Sequence, residues 1–316
     1  MTETTKEIFD KYEIRKTKAQ REAFVGYVSE IAKNEGYKCN IEAIGKNKKL
    51  KNIVIGDPDS AKVIYTAHYD TCASIGMPNV ITPKCPPLYF LYQLLICAIL
   101  YTVPFLIMLI GSKHVLQLTG STALSYATAL FGYAIIILEV ALMLYGPANK
   151  HTANDNTSGV TLLLDIMKDM PNEMRDNVAF IFFDLEESGT LGSKLYAKKH
   201  PKLQEEAFIV NFDCVSDGKT MLFVAKKEAA KYADKLTEAF QSNGTYEVDV
   251  TTKWAIYPSD QRNFKHGVGV SSMNKTKQGM LYMNKIHTKR DTVYDEDNIE
   301  FLKNGAIRLT KIMQTK

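Results

Sequence analysis

Residues 178–188 read VAFIFFDLEES, an apolar run followed by a cluster of carboxylates. A nearly continuous apolar run of this length is typical of a β-strand that is covered on both faces. The adjacent carboxylates of Glu186 and Glu187 repel each other, so burying them together is costly unless a cation lies between them or one is protonated. The stretch therefore predicts a buried strand that ends at a chemically active edge of a sheet.

Predicted strands and helices alternate on both sides of this strand. Further strands are predicted at 37–44, 50–56, 62–68, 207–212, 246–251 and 268–272, and helices at 18–34, 159–170, 189–200, 227–242 and 297–313. The lysine-rich residues 46–51 are expected to form a hairpin turn. This alternation predicts an α/β fold with three αβα layers around a mixed, mostly parallel sheet.

The composition limits the class of protein. The 316 residues include 39 Lys and Arg, 35 Asp and Glu and 46% hydrophobic residues, which argues against disorder and against a many-pass membrane protein. The net charge of +4 is too small to indicate a nucleic-acid binder, so no nucleic-acid partner is expected. Five cysteines without a CxxC pair and a polar N-terminus without a signal sequence favour a reduced, cytosol-facing body.

Candidate metal ligands follow several of the predicted strands or lie in loops beside them. His68 and Asp70 in VIYTAHYDT are two residues apart, a spacing that directs both side chains to one side of a strand. Asp213 closes the strand in FIVNFDC, and Asp155 and His287 lie in the loops HTANDNTSGV and NKIHTKRDT. Each of these residues alone is more often structural, for example as a helix N-cap.

Together, these residue types indicate a zinc site. Imidazole and carboxylate are ligands that zinc favours, and a shared carboxylate can hold two zinc ions about 3.5–4 Å apart. In the Glu186–Glu187 pair, one carboxylate can bind a metal ion while the other accepts a proton from the attacking water.

These motifs occur in order along most of the chain. Residues 37–72 and 147–312 contain AHYDT, ANDNTSG, LEESGTLGS, NFD, YPSDQRNF followed by GVGVSS, and IHTKRDT. In these motifs the sequence resembles the co-catalytic, di-zinc metallo-exopeptidases of the bacterial leucyl aminopeptidase and glutamate carboxypeptidase type. The resemblance implies a zinc-exopeptidase-like fold and two zinc ions as cofactors.

The resemblance also implies which residues bind the two ions. His68, Asp155 and Asp213 would bind one zinc ion. Asp155, Glu187 and His287 would bind the other, with Asp155 as the bridging ligand.

Further roles follow from the same resemblance. Glu186 and Asp70 are the predicted catalytic residues: Glu186 would be the general base, and Asp70 would hold the second ring nitrogen of His68. Tyr257 and Ser259, in YPSD, are candidates for stabilising the oxyanion.

The largest departure from soluble relatives is a long apolar insert in the first half of the chain. Residues 88–110 contain no charged side chain, and residues 123–145 contain one, Glu139. About 20 apolar residues suffice to span a bilayer as a helix. We therefore expect two transmembrane helices joined by a short loop around 111–122, with Glu139 facing protein rather than lipid.

The insert divides the predicted peptidase domain into two parts. We expect residues 1–84 and 149–316 to form this domain and residues 85–148 to form the hairpin. A hairpin puts both of its ends on one side of the bilayer. Lys84 and Lys150 at those ends, with the basic body, outweigh the single lysine of the connecting loop, so the positive-inside rule places the catalytic domain on the cytoplasmic side of the membrane.

The hairpin also predicts partners. Residues 88–145 would contact the lipid bilayer, and their apolar surface could support an oligomer. The alternative interpretation of the insert is an apolar lid or a dimer arm on a soluble enzyme.

The sequence thus predicts a membrane-anchored zinc exopeptidase that acts on peptides through a water activated by two zinc ions. An aminopeptidase is favoured over a carboxypeptidase, because no arginine cluster near the motifs indicates a pocket for a substrate carboxylate. Relatives usually have Ser-Asp-His where this chain has Ser259, Asp260 and Gln261, a difference that we expect to affect the substrate pocket. The alternatives are a non-catalytic membrane scaffold of the same fold, a carboxypeptidase, and acyl transfer of the glutaminyl-cyclase kind with one zinc ion.

Overall fold

The computed structural model describes residues 1–45, 48–74, 76–77 and 79–315. Residues 46 and 47 of the predicted lysine-rich turn lie outside these ranges. The strands in the described ranges are β1 (Cys39–Ile44), β2 (Leu50–Ile55), β3 (Val63–His68), β4 (Val178–Phe183), β5 (Phe208–Phe212), β6 (Thr220–Ala225), β7 (Glu247–Thr251), β8 (His266–Lys275) and β9 (Leu281–Tyr282). The α-helices there are α1 (Glu3–Glu7), α2 (Lys18–Asn34), α3 (Pro86–Leu106), α4 (Ser112–Thr119), α5 (Thr122–Tyr145), α6 (Gly159–Asp169), α7 (Leu191–Lys199), α8 (Pro201–Glu206), α9 (Ala233–Ala239) and α10 (Glu296–Gln314).

The strands form a mixed sheet in the order β1-β2-β4-β3-β5-β8-β6-β7, and β9 pairs with β8. The neighbours β4, β3, β5 and β8 run parallel to one another. In contrast, β2 is antiparallel to β4, and β6 is antiparallel to β8. The predicted mixed, mostly parallel sheet is therefore confirmed, and its central strands end at one common edge.

Both faces of β4 are buried, as its apolar sequence predicts. Phe180 and Phe182 point to the core that α2, α6 and α10 cover, whereas Ile181 and Phe183 pack on the other face with Tyr196 of α7. Successive side chains of a strand point to opposite faces, so an unbroken apolar run is stable only between two helical layers. Because both faces of the sheet are buried, helices cover it on each side, which gives the three αβα layers.

The predicted elements differ from the structure on one side of the sheet. The prediction omits β6, although its sequence, TMLFVA, is an apolar run of strand length. The predicted helix over 227–242 is a 3-10 segment at Lys227–Tyr232 followed by the short α9. Both differences concern short elements, which have too few residues to display a clear period.

Two long apolar helical segments leave the body after β3 and return before α6. They are Pro86–Thr119 and Thr122–Tyr145. An 18-residue stretch within each has a mean hydropathy of 2.6 and 2.2, respectively, and both segments are long and apolar enough to cross a membrane. Their large side chains face outward: Leu94 is 67% exposed and Leu130 is 66% exposed. An exposed apolar surface of this size marks contact with another protein or with lipid.

The predicted loop between these segments, over 111–122, is wrong in its length. A π-helical turn at Ile107–Gly111 leads directly into α4, so the first segment continues to Thr119. Gly120 then ends it in the left-handed conformation, with φ of 65°, which glycine adopts without steric cost. Because residues 112–119 contain neither proline nor glycine, nothing in the sequence ends the helix earlier.

The two segments approach each other closely at Gly132. A Cβ atom on this residue would lie 2.6 Å from the carbonyl oxygen of Pro104 and 3.0 Å from the backbone nitrogen of Met108. Small residues allow such close packing of helix backbones in membranes. Gly132 therefore sets the distance between the two segments.

We predict that Gly132→Leu separates the two segments and lowers the thermal stability of the detergent-solubilised protein. Overpacking of this kind costs about 1–3 kcal/mol, and thermal unfolding followed by circular dichroism measures it. Ala134→Leu, on an exposed position of the same helix, is the matched control. Equal stability of the two variants would contradict the close packing at Gly132.

Candidate metal centre

The predicted ligands meet at the carboxyl edge of the central strands. His68 is the last residue of β3, Asp213 directly follows β5, and Glu187 lies in the loop after β4. Because β3 pairs in parallel with both β4 and β5, these three ends are adjacent. The loops before α6 and before α10 add Asp155 and His287.

The first donor group consists of His68, Asp155 and Asp213, all of them buried. His68 Nε2 lies 3.3 Å from Asp155 Oδ1 and 3.4 Å from Asp213 Oδ1. An imidazole nitrogen and two carboxylate oxygens at this spacing can surround one cation.

The second donor group lies on the other side of Asp155. His287 Nε2 is 2.9 Å from Asp155 Oδ2 and 3.3 Å from Glu187 Oε2. The Cys72 thiol also belongs to this group, with ligand atoms of Cys72, Glu187 and His287 within 4.8 Å of one another. Cys72 is not among the predicted ligands, although it follows Asp70 by two residues in AHYDTC.

The donor set fits zinc. It consists of imidazole, carboxylate and thiol groups, the side chains that zinc favours. Glu187 Oε1 is buried without a hydrogen-bond partner, and an orphaned carboxylate oxygen of this kind is costly unless a cation or a proton satisfies it. The two oxygens of Asp155 face different histidines, which is the arrangement of a carboxylate shared by two ions.

Protons balance the charges of this cluster. Burial opposes the ionised form of Asp155, yet hydrogen bonds from His287 and His68 outweigh burial and hold the pKa of Asp155 well below its usual value. Burial lowers the pKa of His287, but Glu187 and Asp155 together outweigh burial and raise this pKa to about 10. Burial raises the pKa of Glu187 to about 8. A divalent cation would have to displace such protons, so its binding is linked to their release.

Asp291 and Asn154 hold the loop that carries Asp155. The Asp291 carboxylate accepts hydrogen bonds from the backbone nitrogens of Asn154, at 2.8 Å, and Asp155, at 3.0 Å. Asn154 Oδ1 accepts from the backbone nitrogen of Ser216 at 2.7 Å. These bonds tie the loop of Asp155 to the segments that follow His287 and Asp213, so the three predicted ligands are positioned together.

Asp70 positions the glutamate pair more than it positions His68. Its carboxylate accepts hydrogen bonds from the backbone nitrogens of Glu186, at 2.9 Å, and Glu187, at 3.2 Å. His68 Nδ1 lies 3.1 Å from the Asp70 carbonyl oxygen but 3.6 Å from its carboxylate. The backbone of Asp70 is thus the nearer partner of His68.

The predicted oxyanion residues lie beside the cluster with their hydroxyl groups engaged. Tyr257 donates its hydroxyl proton to the carbonyl oxygen of Asp213 at 2.9 Å, and Ser259 accepts a hydrogen bond from Asn211 Nδ2 at 3.0 Å. The neighbouring Gln261 is buried and lies against the backbone of β8. Gln261 therefore lies in the protein interior, packed against β8.

A buried arginine, which is not among the predicted site residues, lies under the cluster. Arg15 is fully buried, donates through Nε to the carbonyl oxygen of Tyr69 and donates through a terminal nitrogen to Thr157 Oγ1 at 3.2 Å. Burial lowers its pKa to about 10, against the opposing influence of Asp70 and of Asp155, so Arg15 stays charged at neutral pH. Its positive charge offsets part of the repulsion among the buried carboxylates.

We predict that Arg15→Met destabilises the metal-free protein by about 3–5 kcal/mol, because it leaves buried acceptors and carboxylates uncompensated. Denaturant unfolding measures this loss. Arg175→Met is the matched control, since Arg175 also donates to backbone carbonyls but is 25% exposed. An effect of Arg15→Met no larger than that of the control would contradict the charge-balancing role.

Three solved structures with similar folds are an exopeptidase, a cyclase and an aminopeptidase. A Zn-dependent exopeptidase from Parabacteroides distasonis is similar with a TM-score of 0.59 and 14% identity, over 99% of this chain and 98% of that chain. The glutaminyl cyclase of Porphyromonas gingivalis is similar with a TM-score of 0.58 and 15% identity, over 98% and 95% of the two chains. The Legionella pneumophila LapA aminopeptidase is similar with a TM-score of 0.56 and 11% identity, over 99% and 70%.

The sequence itself matches one family. No curated protein sequence matches the chain, whereas peptidase family M28 matches residues 140–310, more than half of its length. The predicted resemblance to zinc exopeptidases is thereby confirmed, and the chain belongs to peptidase family M28.

Proposed function

We propose that this chain is a membrane-anchored aminopeptidase that uses two zinc ions. The observation that carries this proposal is the position of Asp155, whose two carboxylate oxygens lie 3.3 Å from His68 and 2.9 Å from His287. One zinc ion would be held by His68, Asp155 and Asp213, and the other by Asp155, Glu187 and His287. Zinc bound there would acidify a water molecule and polarise the scissile carbonyl group.

Glu186 is the residue that we assign to proton transfer. It is half-buried beside the ligand Glu187, and the Asp70 carboxylate fixes the backbone of both residues. Burial raises the pKa of Glu186 well above its usual value, and nearby carboxylates, including that of Asp260, add to this effect while His68 opposes it. A carboxylate with a raised pKa can take the proton of the attacking water and then deliver it to the leaving amine.

The charge of the site supports cleavage from the amino terminus. The carboxylates of Asp70, Asp260 and Asp291 act on the charged groups of the cluster. Lys285, two residues before His287 in the chain, is ion-paired with Asp217 at 3.0 Å. Such surroundings favour a substrate ammonium group over a substrate carboxylate. This is the reason for preferring an aminopeptidase to a carboxypeptidase.

The two apolar segments support the membrane anchor. We propose that Pro86–Thr119 and Thr122–Tyr145 span the bilayer as a pair, inserted between the ligands His68 and Asp155. The catalytic body would then lie on one side of the membrane, and the lysines at the ends of the hairpin support the proposal that this is the cytoplasmic side.

We predict that Glu186→Gln retains its zinc but loses nearly all turnover. The variant and the wild-type protein, both loaded with zinc in detergent, are incubated with a mixed peptide library, and mass spectrometry follows the trimming of each terminus. Glu205→Gln, an exposed substitution of the same type, is the control and should leave turnover unchanged. Near-normal trimming by Glu186→Gln would contradict the assignment of the general base.

The number of zinc ions tests the bridging role of Asp155. We predict two zinc ions per wild-type chain, loss of both in Asp155→Ala, and loss of one in Asp213→Ala, measured by elemental analysis after dialysis.

The fold is also similar to that of a glutaminyl cyclase. One zinc ion and a pyroglutamyl product would therefore favour acyl transfer of that kind over two-zinc hydrolysis.

A further inference from the structure

Trp254 is the single tryptophan of the chain, and it is 85% exposed. No other large hydrophobic residue in the described part of the chain is more exposed. An isolated exposed aromatic ring is ordinary on a protein surface, so the position of this ring decides what it can do.

The loop of Trp254 is tied to the start of the hairpin. The backbone nitrogen of Ile256 donates a hydrogen bond to the carbonyl oxygen of Pro83 at 2.9 Å, three residues before α3 begins. Lys84 Nζ forms an ion pair with Asp249 Oδ2 at 2.6 Å, which adds a second tie from β7. Two residues of extended chain reach about 7 Å, so Trp254 lies near the point where the chain leaves the body for the hairpin.

Of the three tyrosines on α5, the two near its ends indicate where the bilayer surfaces would lie. Tyr126 is 72% exposed near the start of this helix, and Tyr145 is 83% exposed at its end. At 1.5 Å per residue they are about 28 Å apart along the helix, close to the roughly 30 Å of a bilayer's hydrocarbon core. Tyrosine and tryptophan concentrate at the two membrane–water interfaces, so Tyr145 marks the interface on the body side.

The residues around this level are suited to lipid headgroups. Lys16 Nζ donates to the carbonyl oxygen of Leu144 at 2.9 Å, which places a cation at the end of α5. Lys253, next to Trp254, is exposed as well. Aromatic rings beside lysines at the ends of apolar helices match the chemistry of the interface between headgroups and acyl chains.

We propose that Trp254 inserts into the headgroup region of the bilayer beside the hairpin, so that the loop 252–256 is a second membrane contact of the catalytic body. This inference rests on the proposed membrane anchor. The same loop leads directly to the metal centre, because Tyr257 donates its hydroxyl proton to the carbonyl oxygen of Asp213 at 2.9 Å. The contact therefore holds the catalytic edge of the sheet at the membrane surface, where the substrates would be peptides bound to that surface.

The single tryptophan makes the test direct, since all tryptophan emission of the wild-type protein comes from Trp254. The full-length protein is reconstituted into nanodiscs of unlabelled lipid or of lipid brominated on the acyl chain near the headgroup. We expect the emission to be strongly reduced by the brominated lipid, because bromine quenches only a ring in its immediate neighbourhood. We also expect protection from quenching by aqueous acrylamide.

Two double variants separate this inference from the membrane anchor. Trp254→Phe with Leu130→Trp places the reporter on the outward surface of α5, where brominated lipid should quench it if the hairpin spans the bilayer. Trp254→Phe with Glu173→Trp places the reporter just before β4, at the opposite edge of the sheet, where it should stay unquenched.

The combination of results decides between the two proposals. Quenching of Leu130→Trp together with full emission of Trp254 would overturn the second membrane contact and leave the anchor standing. Absence of quenching in both would overturn the anchor and this inference together. Equal quenching of Trp254 and the Glu173→Trp reporter would also overturn the inference, because it would show non-specific contact with lipid.

Discussion

Repulsion among buried carboxylates is the constraint on which the arrangement of this protein depends. Asp155, Asp213 and Glu187 converge at one edge of the sheet with little access to water. Coulomb repulsion is strong in such a place, because the protein interior screens charge poorly. The cluster can exist only if positive charge is supplied, and the imidazoles of His68 and His287, together with Arg15 beneath them, supply part of it. Bound zinc ions would supply the rest.

The fold supports this cluster through backbone hydrogen bonds. Asp70 and Asp291 accept from the amides of the loops that carry Glu187 and Asp155, respectively. These two aspartates bind the backbone nitrogens of Glu187 and Asp155, so they position the predicted ligands through the backbone. The parallel strands bring the loop ends together, and the amide bonds then define their geometry.

The position of the apolar insert in the chain links it to the candidate metal centre. It enters after His68 and leaves before Asp155, so the chain passes through the hairpin between two ligands of one site. Movement of the hairpin relative to the body would disturb those residues. Close packing at Gly132 holds the two segments of the hairpin together, and hydrogen bonds from Ile256 to Pro83 and from Lys16 to Leu144 join its two ends to the body. In this way the proposed anchor and the metal centre form one structural unit.

The sequence alone predicted the fold class, the buried strand 178–183 and five members of the two donor groups, His68, Asp155, Asp213, Glu187 and His287, because apolar period and motif order are local properties of the chain. Only the tertiary structure showed that Arg15 and Cys72 lie at the same site, since the contacts that bring them there are made with segments far away in sequence. It also decided that Asp70 binds the amides of Glu186 and Glu187 and that Gln261 lies in the interior. Contacts between residues far apart in sequence depend on how the strands are ordered in the sheet, and that order is not a property of any single segment.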